Sequence, residues 1–225
     1  MIQFSNVSKR YQSGQDALLS VSFTLDQGEM AFLTGHSGAG KSTLLKLIAL
    51  LETASSGAIV VQKQNLSQIK RRGIALFRRK IGLIFQNPML LFDRSILENV
   101  ALPLVIAGSE SKTIHRRARA ALDLVGLLNK ERLTPEMLSC GEQQRVGIAR
   151  AIVTKPSILL ADEPTGNLDP SLSWDIMKLF KEFNQTGTTV LIASHDLELI
   201  NQMQCRNLVL KEGVLIEDRP KGTRL

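Results

Sequence analysis

The segment Gly35-His36-Ser37-Gly38-Ala39-Gly40-Lys41-Ser42 follows the spacing G-x-x-x-x-G-K-[ST]. Glycines let a backbone curl until successive N–H groups point inward, making a concave nest for phosphate oxygens. In that pattern Lys41 supplies a cation to the β- and γ-phosphates of a nucleotide, and Ser42 supplies a hydroxyl ligand for Mg²⁺. By average composition the pattern arises by chance in roughly one chain of this size in a hundred, so its surroundings decide its meaning. They fit: Met30–Thr34 is an apolar run that reads as a strand, and Thr43–Leu51 has helical spacing. A helix opening at the loop adds the positive end of its dipole to the anion site.

A phosphate loop needs an acidic partner for its metal ion. Ser157–Ala161 is continuously apolar, as a strand buried on both faces should be, and it ends in Asp162-Glu163. Asp162 is placed to hold Mg²⁺ through water. Glu163, one residue on, points elsewhere and can polarise an attacking water as general base. The plain alternative is an acidic strand end before Pro164.

The elements that must position these groups fall into an order. Ile2–Val7, Val21–Leu25, Ile59–Val61 and Ile81–Phe85 read as strands, with a turn at Gln27-Gly28-Glu29. Between Asn87 and about Thr154 the period changes. Ser95–Ala107, Thr113–Val125 and Glu142–Val153 read as helices with no convincing strand between them, which predicts an inserted helical lobe over 87–154. Arg116, Arg117 and Arg119 lie opposite an apolar stripe of Ala118, Ala121, Leu122 and Val125. Strands return at Ser157–Ala161 and Thr188–Ala193, with a helix over Asp169–Phe183 and a hairpin over Asn207–Leu210 and Val214–Ile216. Strands alternating with helices predict an α/β fold with a mainly parallel sheet covered on both faces. Residues 1–86 and 155–225 form the expected core of a single domain. Asp169 before Pro170 also reads as a helix cap with proline at the first helical position.

Further segments carry a family resemblance. Leu138-Ser139-Cys140-Gly141-Glu142-Gln143-Gln144-Arg145 resembles the LSGGQ/LSGGE signature of ABC-type ATPases. Gln86 resembles the family's Q-loop glutamine, Asn167-Leu168-Asp169 its D-loop, and His195 its H-loop histidine. Tyr11, the sole tyrosine, stands where the family places the aromatic that stacks on adenine. These motifs keep the family's order from Tyr11 to His195. Within the family, the stretches around Gly28–Ile48, Gly141–Ala151 and Ala161–Asp169 are similar to the bacterial cell-division branch.

That resemblance implies a RecA-like P-loop core with an N-terminal antiparallel β-subdomain and the inserted helical lobe. It implies ATP and Mg²⁺ as ligands, bound by Tyr11, Gly35, His36, Ser37, Gly38, Ala39, Gly40, Lys41, Ser42, Thr43 and Gln86, with Ser42, Gln86 and Asp162 toward the metal. It also implies a head-to-tail homodimer, in which Ser139 and Gly141 of one copy cover the nucleotide on the other, with Glu142 and Asp169 among the implied nucleotide-binding residues. Lys41, Glu163 and His195 then carry hydrolysis, His195 holding the γ-phosphate and orienting the water. For the cell-division branch, the partners implied are an integral membrane subunit and, indirectly, a periplasmic activator of cell-wall hydrolases. Such a subunit works peripherally on the cytoplasmic face of the inner membrane. Pro88-Met89-Leu90-Leu91-Phe92 is either the candidate docking stretch or part of the packed core of the helical lobe. Two rival functions stay open on sequence: the ATPase of a lipoprotein-releasing or macrolide-type exporter, and a nucleotide-gated scaffold with little turnover.

Cys140 departs from the family, which has glycine there. If that position needs φ > 0, the thiol side chain costs on the order of 1 kcal/mol in strain; if not, the substitution is nearly silent.

Composition bounds the rest. The 225 residues are 44% hydrophobic, 22% charged and 4% aromatic, an ordinary globular balance that excludes collagen-like, disordered and disulfide-scaffold classes. No apolar run approaches the ~20 residues of a membrane span, and the first residues do not read as a signal peptide. Two cysteines, Cys140 and Cys205, make no framework, so a reducing compartment is expected. The net charge of +7 is uneven: residues 1–112 hold 13 Lys/Arg against 7 Asp/Glu, and 113–225 hold 15 against 14. Lys63–Lys80 carries seven basic residues and no acid, either a solvated face or a contact for anionic lipid. Few aromatics and no recognition motif argue against nucleic acid.

Overall fold

The computed structural model describes residues 1–166 and 168–222. Ten strands form two sheets: β1 (Ile2–Arg10), β2 (Asp16–Leu25), β3 (Met30–Thr34), β4 (Ser56–Val61), β5 (Gln64–Asn65), β6 (Ile81–Ile84), β7 (Ile158–Asp162), β8 (Thr189–Ala193), β9 (Arg206–Lys211) and β10 (Val214–Arg219). The helices are α1 (Lys41–Ile48), α2 (Arg71–Arg78), α3 (Ile96–Ile106), α4 (Ser111–Leu124), α5 (Cys140–Ile152), α6 (Pro170–Gln185) and α7 (Leu197–Met203).

An antiparallel sheet has the order β2-β1-β4-β5, and a six-stranded sheet the order β10-β9-β3-β8-β7-β6. In the second, β6, β7, β8, β3 and β9 run parallel, and β10 returns antiparallel to β9. The C-terminal hairpin expected from sequence is present, and its first strand also joins the core sheet beside β3.

Every residue of β3 and β8 is buried, because helices cover one face of the core sheet and the antiparallel sheet with α1 covers the other. Met30, Phe32, Ile84, Leu159 and Ile192 face a core built with α3 to α7; Ala31, Leu33, Leu160 and Leu191 face the other. The two-residue alternation along each strand thus divides one apolar run between two cores.

Between β6 and β7 the chain forms only helical elements. α3 opens with a reciprocal cap: Ser95 Oγ accepts from the Glu98 N–H, and the Glu98 carboxylate accepts from the Ser95 N–H. Along α4, Ala118, Ala121 and Leu122 are buried, Arg116 and Arg119 are exposed, and Arg117 is half-buried.

The basic run folds as α2, an element its charges conceal. Arg78 donates to the carbonyl oxygens of Ala49 (3.3 Å) and Leu50 (2.6 Å) just past α1, and Arg79 donates to the Ile106 carbonyl at the end of α3 (2.8 Å). These two arginines hold helix C-termini, and they are exposed, as are Lys63, Lys70, Arg71, Arg72 and Lys80.

Candidate nucleotide site

The loop between β3 and α1 starts and ends on glycines that leave no room for a side chain. A Cβ on Gly35 would lie 2.2 Å from the Leu210 carbonyl oxygen, and Gly40 has φ 106°. Gly40 is the N-cap of α1 and offers no side-chain acceptor. By contrast Ser95, Ser139 and Asp169 cap α3, α5 and α6 through their side chains. The first-turn N–H groups of α1 are thereby left to an anion, and the cradle fits phosphate. Lys41 is buried at the same end, and its Nζ donates to the Gly35 carbonyl (2.6 Å) and the His36 carbonyl (3.2 Å), folded back over the loop it belongs to.

The facing wall comes from the end of β7. Glu163 takes φ 47°, a left-handed backbone that costs a non-glycine residue roughly 1 kcal/mol or more. Its N–H donates to the Ala193 carbonyl at 2.9 Å, which fixes the bend after Asp162. Glu163 Oε1 lies 3.9 Å from Lys41 Nζ, and Oε2 lies 2.9 Å from His195 Nδ1. Glu163 is largely enclosed, with 13% side-chain exposure, while His195 is 73% exposed at the rim.

Tyr11 closes another side. Its hydroxyl is 3.2 Å from Thr43 Oγ1, and Lys9 Nζ lies 4.9 Å from the ring centroid. A single cleft of about 580 Å³ is lined by Tyr11, His36, Ser37, Gly38, Ala39, Gly40, Lys41, Ser42, Thr43, Gln86, Asp162, Glu163 and His195. Gln15 and Ala17 line it too; they sit near or on β2 and belong to no motif, so sequence spacing gives no sign of them.

Ser42, Gln86 and Asp162 bring a hydroxyl, an amide and a carboxylate to this cleft, oxygen donors suited to a hard cation. No group of three His, Cys, Asp or Glu side chains able to hold a metal occurs among the described residues. The donor set therefore fits Mg²⁺ arriving with phosphates and retaining waters.

Ser139, Gly141, Glu142 and Asp169 do not line this cleft. Ser139 is the exposed cap of α5: its Oγ accepts from the Glu142 N–H (3.3 Å), and Glu142 Oε2 accepts from the Ser139 N–H (3.1 Å). Glu142 Oε1 also receives Lys130 Nζ at 2.5 Å. Lys130 first, then the Ser139 N–H and the nearby Arg145, hold the Glu142 carboxyl below the usual carboxylate range despite its burial. Cys140 is the first residue of α5, exposed, and outside the set of non-glycine residues with positive φ. The strained alternative for Cys140 is thereby excluded, because the position is ordinary helix. Asp169 caps α6, its Oδ1 accepting from Leu172 N–H at 3.0 Å ahead of Pro170. Asn167 of the expected D-loop lies outside the described residues.

Helix α5 also grips the segment that carries Gln86. Gln144 Nε2 donates to the Phe85 carbonyl at 3.1 Å, and Arg150 donates to the carbonyls of Pro88 and Met89. A Cβ on Gly147 would lie 2.7 Å from Pro88 Cβ. Sequence reasoning gave Gln144 and Arg150 no role, since their partners are backbone atoms about 60 residues away.

A phosphate loop at the end of a central parallel strand, facing a paired acid and histidine from neighbouring strands, defines a P-loop nucleotide-binding cassette. The chain belongs to the ABC transporter family, whose profile matches residues 18–166, and is an ABC-type ATPase. It is 56% identical to the cell division ATP-binding protein FtsE of Escherichia coli (strain K12), covering 96% of this chain and 97% of that one. It is 44% identical to the FtsE of Bacillus subtilis (strain 168), covering 99% and 97%. In structure it is similar to the ATP-binding cassette MJ0796, solved as a dimer in a post-hydrolysis state bound to ADP and Pi. The TM-score is 0.93 at 33% identity, with both chains covered completely.

Proposed function

We propose that this chain is the ATP-hydrolysing subunit of an FtsEX-type membrane complex acting in bacterial cell division. The observation that carries the reading is the division of the site. One face holds the phosphate loop, Asp162, Glu163, His195, Gln86 and Tyr11 in one cleft, while Ser139 and Gly141 stand outside it at the exposed start of α5.

The Ser139 cap occupies the Glu142 N–H, and the serine hydroxyl proton with the other first-turn N–H groups of α5 would form a second anion site for a phosphate held by another copy. Two copies arranged head to tail would place each Ser139–Gly141 segment over the partner's phosphate loop. The dimeric MJ0796 cassette, alike over the whole chain, supports that arrangement.

Within the closed site, Lys41 neutralises charge on the β- and γ-phosphates, and Tyr11 offers its ring to the base. Ser42, Asp162 and Gln86 would hold Mg²⁺, which when bound draws charge from the phosphate oxygens. Glu163 takes a proton from the attacking water, and His195, 2.9 Å from it, orients that water and the γ-phosphate. Dimer closure on ATP and release after hydrolysis give two states with different affinity for a partner, which is how the cycle performs work.

No helix among the described residues is long and apolar enough to cross a membrane. The chain would work at the cytoplasmic face of the inner membrane, held there by an integral subunit of the FtsX type that relays the cycle to a periplasmic activator of cell-wall hydrolases. Met89, Leu91 and Phe92 support this, since they are exposed apolar side chains directly after Gln86 while Leu90 is buried. Exposed Lys63, Lys70, Arg71 and Arg72 supply a contact for anionic lipid. Depletion of the protein in its host is the test. Filamentous, unseparated cells are expected, and mislocalised lipoproteins in normally dividing cells would instead favour the exporter reading.

A further inference from the structure

Three backbones meet behind the phosphate loop. A Cβ on Gly40 would lie 2.5 Å from the Ala17 carbonyl oxygen and 2.8 Å from Leu18 Cδ2. From the other side, a Cβ on Gly213, in the β9–β10 turn, would lie 3.0 Å from the same Ala17 oxygen and 3.2 Å from Leu18 Cα. The Ala17–Leu18 backbone of β2 is therefore sandwiched between a loop glycine and a turn glycine.

Hydrogen bonds lock the sandwich. The Gly213 N–H donates to the Ala39 carbonyl of the phosphate loop at 3.1 Å, and the Gly213 carbonyl accepts from the Leu19 N–H of β2 at 2.8 Å. A two-residue hairpin explains the left-handed backbone of Glu212 (φ 49°) and Gly213 (φ 79°) by itself. It does not require the turn's free N–H and C=O to bind two other segments, since at an exposed hairpin tip water serves them.

The two segments so joined are adjoining parts of the cleft lining. Ala39 belongs to the phosphate side, and β2 leads back through Ala17 and Gln15 to Tyr11 on the side assigned to the base. We infer that Gly213 is a positioning residue which sets the span between the Tyr11–Ala17 wall and the phosphate loop. It thereby selects for a phosphate chain attached to a nucleoside over a free one. Gly213 is buried and does not line the cleft, so it acts through its bonds to Ala39 and Leu19 and its packing on Ala17–Leu18. The inference rests on the nucleotide reading above.

Calorimetric titration of the full chain with Mg-ATP, and separately with Mg²⁺ plus inorganic tripolyphosphate, tests it. Gly213→Ala is expected to weaken ATP about tenfold, the effect of a small misplacement of binding groups, and to change tripolyphosphate less than about twofold. Gly213→Asn, which accepts a left-handed backbone but carries a Cβ, is expected to show the same selective loss should the alanine variant fold poorly. Gly108→Ala carries the backbone penalty alone, since Gly108 has φ 73° and no atom within 4 Å of its Cβ position; it is expected to bind both ligands as the parent does. Equal losses for both ligands, or unchanged ATP affinity in both Gly213 variants, would overturn the inference. A parent that binds no Mg-ATP would instead overturn the nucleotide reading, whatever the variants do.

Discussion

His195 Nδ1 lies 2.9 Å from Glu163 Oε2, although the two residues stand 32 positions apart on the ends of neighbouring parallel strands. The other carboxylate oxygen faces Lys41 Nζ at 3.9 Å. The proposed base thus stands between the histidine at the rim and the lysine of the phosphate loop, on a left-handed backbone held by Ala193.

Glu163→Gln keeps the shape of that bridge but removes the group that takes the water's proton. ATP binding is expected to persist, and steady-state phosphate release to fall by about two orders of magnitude or more. Size-exclusion chromatography with Mg-ATP should show the variant as a dimer. Phosphate release at the parental rate would exclude Glu163 as the base.

Lys41→Ala removes the buried cation that now spans the Gly35 and His36 carbonyls. A charge-assisted contact to phosphate is lost, so nucleotide affinity itself should drop by about tenfold or more. Fluorescence titration with a nucleotide analogue reads this directly, and equal affinity in variant and parent would mean that the loop does not hold the phosphates.

Cys140 is exposed at the start of α5. Closure of a second copy over this segment should bury it. In a Cys205→Ser, Glu163→Gln background, Mg-ATP is expected to slow alkylation of Cys140 markedly; a rate indifferent to ATP would mean that this segment does not close over nucleotide. Because Cys140 adopts helical backbone, Cys140→Gly should leave turnover nearly unchanged and cost up to about 1 kcal/mol of stability through helix propensity.

Glu142 makes the start of α5 sensitive to acid. Its carboxyl is held below the ordinary range by Lys130 and the Ser139 N–H, so its folded pKa lies under the unfolded one. The resulting stability is fully present above the unfolded carboxylate pKa and is lost as pH falls through the folded value. Glu142→Gln keeps an acceptor for the Ser139 N–H but removes the charge facing Lys130; it should destabilise the protein at neutral pH by up to about 1 kcal/mol, read as a lower melting temperature, and should flatten the fall in stability below about pH 4.5. Parallel melting curves for variant and parent across that range would refute the assignment.

The lipid contact is testable on Lys70, Arg71 and Arg72, because Arg78 and Arg79, though also exposed, are engaged with helix ends. Lys70→Glu, Arg71→Glu and Arg72→Glu together should weaken binding to anionic vesicles at low salt by several kcal/mol, at about 1 kcal/mol per basic residue near the surface. ATP affinity should not change. Vesicle sedimentation equal to the parent's would return these side chains to an ordinary solvated face.

What the sequence determined by itself is local. The phosphate loop, the acid pair after Leu160-Ala161, the cap at Asp169 and the helical periods of α3, α4 and α5 depend on neighbours within a few residues, and local spacing specifies them. The helix α2 escaped this reading because its eight residues, three of them arginine, are fewer than the stretch over which a helical period can be read. Only the tertiary structure decided which distant groups meet. Parallel pairing of β7 with β8 carries Glu163 to His195, the packing of α5 on β6 carries Gln144 to the Phe85 carbonyl, and β9 beside β3 carries Gly213 to Ala39. The last two contacts end on backbone atoms, which every residue possesses, so no side-chain pattern can announce them. The same holds for Cys140: residue type left two backbone conformations open, and the helix that starts there selected one.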